Sequence, residues 1–172
     1  MRPTVVVECD NDELLLLTLG LPRKQLLHQG NREEVVKYIL KHESGRFIGL
    51  VDEDPGTVRS KQRAAFAKGK SHVGLRTEKA GRRVLTVICP FLEGWLVAAV
   101  HACGGRMEKL DKGLSDDPRE LHRQLSPRGD MRMHKIIAFL EKKNSMHLQV
   151  LRTALQLEKP PLPHNSSRPK KV

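Results

Sequence analysis

The sequence predicts an α/β layered sheet, and three observations carry that reading. Short β-branched runs at Thr4 to Val7, Phe47 to Val51 and Val84 to Ile88 are separated by stretches of helical periodicity. Strand–helix alternation of this kind builds a mostly parallel, Rossmann-like sheet with helices on both faces. Two of the runs also end in acids, as Val5-Val6-Val7-Glu8-Cys9-Asp10-Asn11-Asp12 and as Leu50-Val51-Asp52-Glu53-Asp54-Pro55-Gly56. In open sheets of this class, ligands bind at the carboxyl ends of the strands.

Taken in order, Thr4 to Val7 reads as a buried strand, short and β-branched. Asp10 and Asp12 suit the positive end of a helix whose apolar body is Leu14 to Leu19, stopped by Gly20 and Pro22. A brief strand is expected around Gln25 to His28, followed by a turn and cap at Gly30-Asn31. Val35, Val36, Ile39 and Leu40 then give a helix its inward face, ended by Ser44-Gly45. Phe47 to Val51 is the second clear strand, and Pro55-Gly56 turns the chain after it.

Residues 58 to 83 change character. Arg59, Lys61, Arg63, Lys68, Lys70, Arg76, Lys79, Arg82 and Arg83 stand against a single acid, Glu78. Glycines and weak apolar periodicity predict a mobile loop here. Val84 to Ile88 is the third strand, and Pro90 opens a helix running to about Cys103. Ser115-Asp116-Asp117-Pro118 starts another through Leu125, Asp130 is a further candidate cap, and Met146 to Leu157 is a last amphipathic helix. The expected organisation is an α/β domain over 1–110, a helical extension capping it over 111–158, and a disordered basic tail over 159–172.

A net charge of +11 speaks for a polyanionic partner, DNA or RNA, and says nothing about fold. Three cysteines without a CxxC argue against a disulfide framework and for a reducing compartment. No apolar run approaches the roughly 18 residues of a membrane span. The strand pattern begins too close to Met1 to leave room for a signal peptide. These observations predict a cytoplasmic protein with no membrane partner. Carboxylates crowded into one crevice repel unless a cation sits among them. Without thiolate or histidine at ligand spacing, the hard oxygens suit magnesium or manganese.

The order and spacing of these motifs resemble the Toprim domain of topoisomerases, primases and certain nucleases. That family places a glutamate at the end of its first strand with an acid four positions on, matched by Glu8 and Asp12. Cys9 stands where the family usually has glycine. A glycine ahead of a helix is matched by Gly30, and a strand ending in Asp-x-Asp and then glycine by Asp52, Asp54 and Gly56. The resemblance covers roughly residues 4 to 100. It implies that Asp52 and Asp54 hold the metal, that Glu8 is a general acid/base or further ligand, and that Asp12 assists. Glu93 is a candidate for a second metal position, or simply an acid favoured at a helix start. Asp10 and Glu53 read as solvated acids. Arg59, Lys61, Arg63, Lys68, Lys70, Arg82 and Arg83 are the candidate grip on phosphate.

Tyr38, the only tyrosine, falls inside a predicted helix, which argues against topoisomerase chemistry. The zinc module of a primase has no counterpart. The resemblance therefore implies a small stand-alone nuclease, of a kind found in defence or mobile-element systems. Such proteins often work with a separate ATPase, and because GxxxxGK[ST] is absent here any ATP-driven step would have to come from such a partner. The alternatives are a non-catalytic nucleic-acid-binding or regulatory module, and a phosphoryl-transfer domain of receiver or haloacid-dehalogenase type. Thr57 stands one place too late for the last of these.

Overall fold

The three β-branched runs form the middle of the sheet. The computed structural model describes residues 2–43, 45–125 and 131–157. In it, β1 (Thr4–Val7), β3 (Phe47–Asp52) and β6 (Arg83–Ile88) lie side by side and parallel. β2 (Leu26–His28) adds in parallel outside β1. β4 (Ala67–His72) and β5 (Leu75–Ala80) form an antiparallel hairpin outside β6, giving the order β2-β1-β3-β6-β5-β4.

Strand side chains alternate between faces, so each apolar run feeds two cores. Val5, Val7, Ile48 and Leu50 face α1 (Asp10–Thr18) and α4 (Leu92–Ala102). Val6, Val51, Leu85 and Val87 pack with Val35, Val36 and Ile39 of α2 (Arg32–Lys41), and with Phe66 just past α3 (Lys61–Ala64). Helices thus cover both faces. The caps follow the sequence closely: Asn31 Oδ1 accepts from the Glu34 amide at 2.9 Å, and Asp117 Oδ1 from the amides of Arg119 and Glu120 at 2.8 and 3.0 Å.

The C-terminal helices form an outer layer on the α1/α4 face. They are α5 (Met107–Leu110), α6 (Pro118–Leu125), α7 (Arg132–Lys142) and α8 (Met146–Ala154). Leu121, Leu125, Ile136, Ile137, Leu140, Leu148 and Leu151 join the same buried cluster as Leu96 and Val100 of α4. Each such side chain contributes about 1.5–3 kcal/mol on burial, so this layer shares a core with the sheet. The expected cap at Asp130, the helix end at Ser44 and the tail over 159–172 lie outside the described residues.

The mobile loop expected over 58–83 is not what forms. α3 and the β4–β5 hairpin fill that stretch and extend the sheet. β4 is exposed along its whole length and carries Lys68 and Lys70, charges that blunt a sheet edge. Gly69 is required there, because a Cβ would meet the Thr77 carbonyl oxygen at 2.4 Å. The turn is pinned to α4 by Trp95, whose Nε1 donates to the Val73 carbonyl at 3.0 Å. Among the described residues, no helix is long and apolar enough to cross a membrane.

Candidate metal centre

Parallel β1 and β3 run in register, Val7 beside Leu50, so Glu8 and Asp52 emerge together at the carboxyl edge. The Asp52 backbone N–H donates to Glu8 Oε1 at 2.7 Å. Two stretches 44 residues apart therefore meet through one carboxylate. Glu8 and Asp52 are brought together by this bond. Asp12 and Glu93, in the first turns of α1 and α4, are near enough for their charges to act on Asp52. Among the described residues, however, no three of these acids stand at metal-ligand spacing.

Cys9 caps α1 and is bound up with Asp12. Its Sγ accepts from the Asp12 amide at 3.5 Å and donates to Asp12 Oδ2 at 3.2 Å. The side chain standing in the glycine position thus serves as a helix cap, with extended backbone (φ −139°, ψ 166°) that needs no glycine. Burial and the neighbouring Asp12 carboxylate push the Cys9 thiol well up, so it remains a thiol donor. Glu93, buried, accepts from Asn11 Nδ2 at 2.9 Å and lies 2.8 Å from His122 Nδ1 on α6.

The acids strain against one another. Asp52 is pushed up to about 9 by burial, then by the charges of Asp12, Glu8, Glu93 and Asp54. Asp12, fully buried, is pushed up to about 7 by burial first, with Glu8 and Glu93 adding to it. Glu8 is also raised, mainly by burial, against the stabilising hydrogen bond from Asp52. Asp12 Oδ1 and Asp52 Oδ1 are buried without a hydrogen-bond partner among the described residues. Orphaned carboxylate oxygens of this kind are costly and call for a ligand.

Asp54 turns elsewhere. It sits at φ +48°, a left-handed conformation that aspartate tolerates, and is 53 % exposed. Arg32 NH1 donates to Asp54 Oδ2 at 3.1 Å, and also to the Glu53 carbonyl at 3.1 Å. Glu53 is not a plain solvated acid either, since Arg76 NH1 donates to its Oε1 at 2.8 Å and holds its carboxyl below the usual range.

The candidate phosphate grip divides in two. Its Arg59 and Arg63, together with Arg76 from outside it, converge on buried Glu78 at 2.9, 3.3 and 3.0 Å. Burial alone would raise Glu78, but these guanidiniums more than reverse it. Arg83 donates to the Ile39 and His42 carbonyls at the end of α2, at 3.1 and 3.4 Å. Lys61, Lys68, Lys70 and Arg82 are exposed.

One grouping escaped the sequence. Ligand atoms of Asp10, Glu13 and His28 all lie within 4.8 Å of one another. His28 reaches this corner from β2, a strand of three residues, and only the parallel pairing with β1 brings it there. Asp10 is 78 % exposed, and Glu13 also pairs with Arg23. His122 was missed as well, because it acts from α6, 29 residues beyond Glu93.

Comparison of the chain with protein-family models, with curated proteins and with solved structures finds no match.

Proposed function

We propose that this chain is a magnesium- or manganese-dependent phosphodiesterase of the Toprim type, cutting DNA or RNA. The observation that supports it most is that the Asp52 backbone N–H donates to Glu8 Oε1 at 2.7 Å, while buried oxygens of Asp12 and Asp52 have no partner among the described residues. An all-carboxylate donor set fits a hard divalent cation better than a soft one. Asp52 and Glu8 would hold the ion with Glu93 near it, and Asp54 would join them only on release from Arg32. When bound, such an ion polarises a phosphoryl oxygen and steadies charge on the leaving oxygen.

The remaining work belongs to the side chains. Glu8 is anchored by the Asp52 amide, and burial raises its carboxyl above the usual range, which favours its taking up a proton. Asp12, held by Cys9 and pushed up to about 7, adds negative charge near Glu8 and Asp52 only when it is ionised. Arg32 steadies the 52–54 turn by binding its carbonyls and Asp54. The exposed Lys61, Lys70 and Arg82 attract the nucleic-acid backbone without reading sequence.

A second reading, a nucleic-acid-binding module without chemistry, is supported by the hold of Arg32 on Asp54. One experiment separates the two. Labelled single- and double-stranded DNA and RNA are incubated with wild-type protein, Glu8→Gln and Asp52→Asn, with magnesium, manganese or EDTA. The nuclease reading expects cleavage only with metal, and a loss of about 10²–10⁴-fold in each folded variant. Binding of all substrates with no cleavage under any condition would leave the module.

A further inference from the structure

Residues of the 53–58 turn line a cleft of about 310 Å³. It is at the small end of ligand pockets, which run roughly 300–1,000 Å³. Five cationic side chains line it (Arg32, Arg59, Arg63, Lys68 and Arg76) against two carboxylates, Glu53 and Asp54. Glu78 beneath accounts for one more negative charge and leaves the cleft positive.

What distinguishes this from a solvated basic face is its construction. Arg59, Arg63 and Arg76 are all fixed on Glu78, so their guanidiniums are oriented before any ligand arrives. Ordering them costs a binding anion little. The Nε atoms of Arg32 and Arg59 are buried with no hydrogen-bond partner among the described residues. Surplus positive charge and ligand-sized volume coincide at one place.

We infer that this cleft is a phosphate-binding pocket, seating one phosphate of a nucleic-acid strand beside the carboxylate cluster. Guanidinium forks match phosphate oxygens in pairs, and the volume suits a phosphate with its sugar rather than a duplex. The identity of the strand rests on the nuclease reading; the pocket itself does not. The phosphate is either a terminal monoester, which presents three non-bridging oxygens, or an internal diester, which presents two.

The test is titration calorimetry on the full chain in EDTA, with inorganic phosphate and with a short single-stranded oligonucleotide carrying either a 5′-phosphate or a 5′-hydroxyl. Inorganic phosphate should bind and compete with the oligonucleotide. Lys68→Glu, at an exposed position on the lining, should weaken phosphate binding at least tenfold, and Lys68→Arg should retain it. Lys79→Glu makes the same charge change on β5 outside the lining and should alter binding less than twofold. Tighter binding of the 5′-phosphorylated strand supports the pocket as a seat for strand ends, and equal binding supports it as a seat for internal phosphates. Equal weakening by Lys68→Glu and Lys79→Glu, or no competition by phosphate, overturns it. Because metal is absent throughout, this titration does not depend on cleavage: phosphate binding here, with no cutting in the assays containing magnesium or manganese, would sink the nuclease reading and leave the pocket standing.

Discussion

Replacing Asp52 by asparagine should make the metal-free protein more stable. An aspartate titrates near 3.9 in an unfolded chain, whereas Asp52 is pushed up to about 9 in the fold by burial and the surrounding acids. At pH 7, folding must therefore protonate Asp52 or tolerate its charge. With about 1.4 kcal/mol per pH unit over the roughly three units from 3.9 to 7, that costs about 4 kcal/mol. Asparagine has nearly the same shape and avoids the cost, but its amide must find partners where Asp52 Oδ1 has none, returning about 1–2 kcal/mol. The net gain is about 2 kcal/mol in EDTA, or roughly 4–8 °C in Tm for a chain of this size.

The pH dependence has a definite sign. A carboxyl whose folded value lies above its unfolded one binds more protons in the native state, so wild-type stability falls as pH rises from about 4 to about 9. The advantage of Asp52→Asn should be small at pH 5 and largest at pH 8.5. Magnesium should then raise the Tm of wild type and leave the variant unmoved. Urea denaturation followed by circular dichroism at pH 5, 7 and 8.5 reads all of this. A variant less stable than wild type in EDTA, or a difference that ignores pH, would refute the electrostatic reasoning.

Two further perturbations probe the frame around the site. Glu78→Gln should cost about 3–5 kcal/mol, because it leaves three converging guanidiniums without their buried counter-charge. Since Glu78 is held below its ordinary value, its contribution is complete above about pH 4.5 and fades as pH falls through the depressed value; the loss in the variant, read by urea denaturation, should shrink accordingly. Gly49→Ala should cost about 1–3 kcal/mol by overpacking, as a Cβ there meets Leu85 at 2.5 Å and Val35 at 3.0 Å, and calorimetric Tm checks it.

How far the fold was legible depended on where hydrophobicity marks structure. β1, β3 and β6 bury most of their residues, and their β-branched runs are plain in the sequence. The β4–β5 hairpin hides because its face toward α3 is held by ions. Where an apolar residue would announce a strand, β5 places Glu78, clasped by Arg59, Arg63 and Arg76. A stretch rich in arginine and lysine thus reads as a loop while forming a sheet edge. Site residues followed the same divide. Glu8, Asp12 and Asp52 lie at the ends of readable elements, and the sheet brought them together. Asp54 depends on the rotamer of a partner in α2, and Asn11, His28 and His122 on pairings that no local pattern encodes.

The central claim is that Glu8 and Asp52 share a divalent ion, and manganese located by anomalous diffraction in crystals of the full chain tests it most directly. The expected result is a peak about 2.0–2.3 Å from oxygens of both side chains. A peak confined to Asp10, Glu13 and His28, or none at saturating manganese, would contradict it.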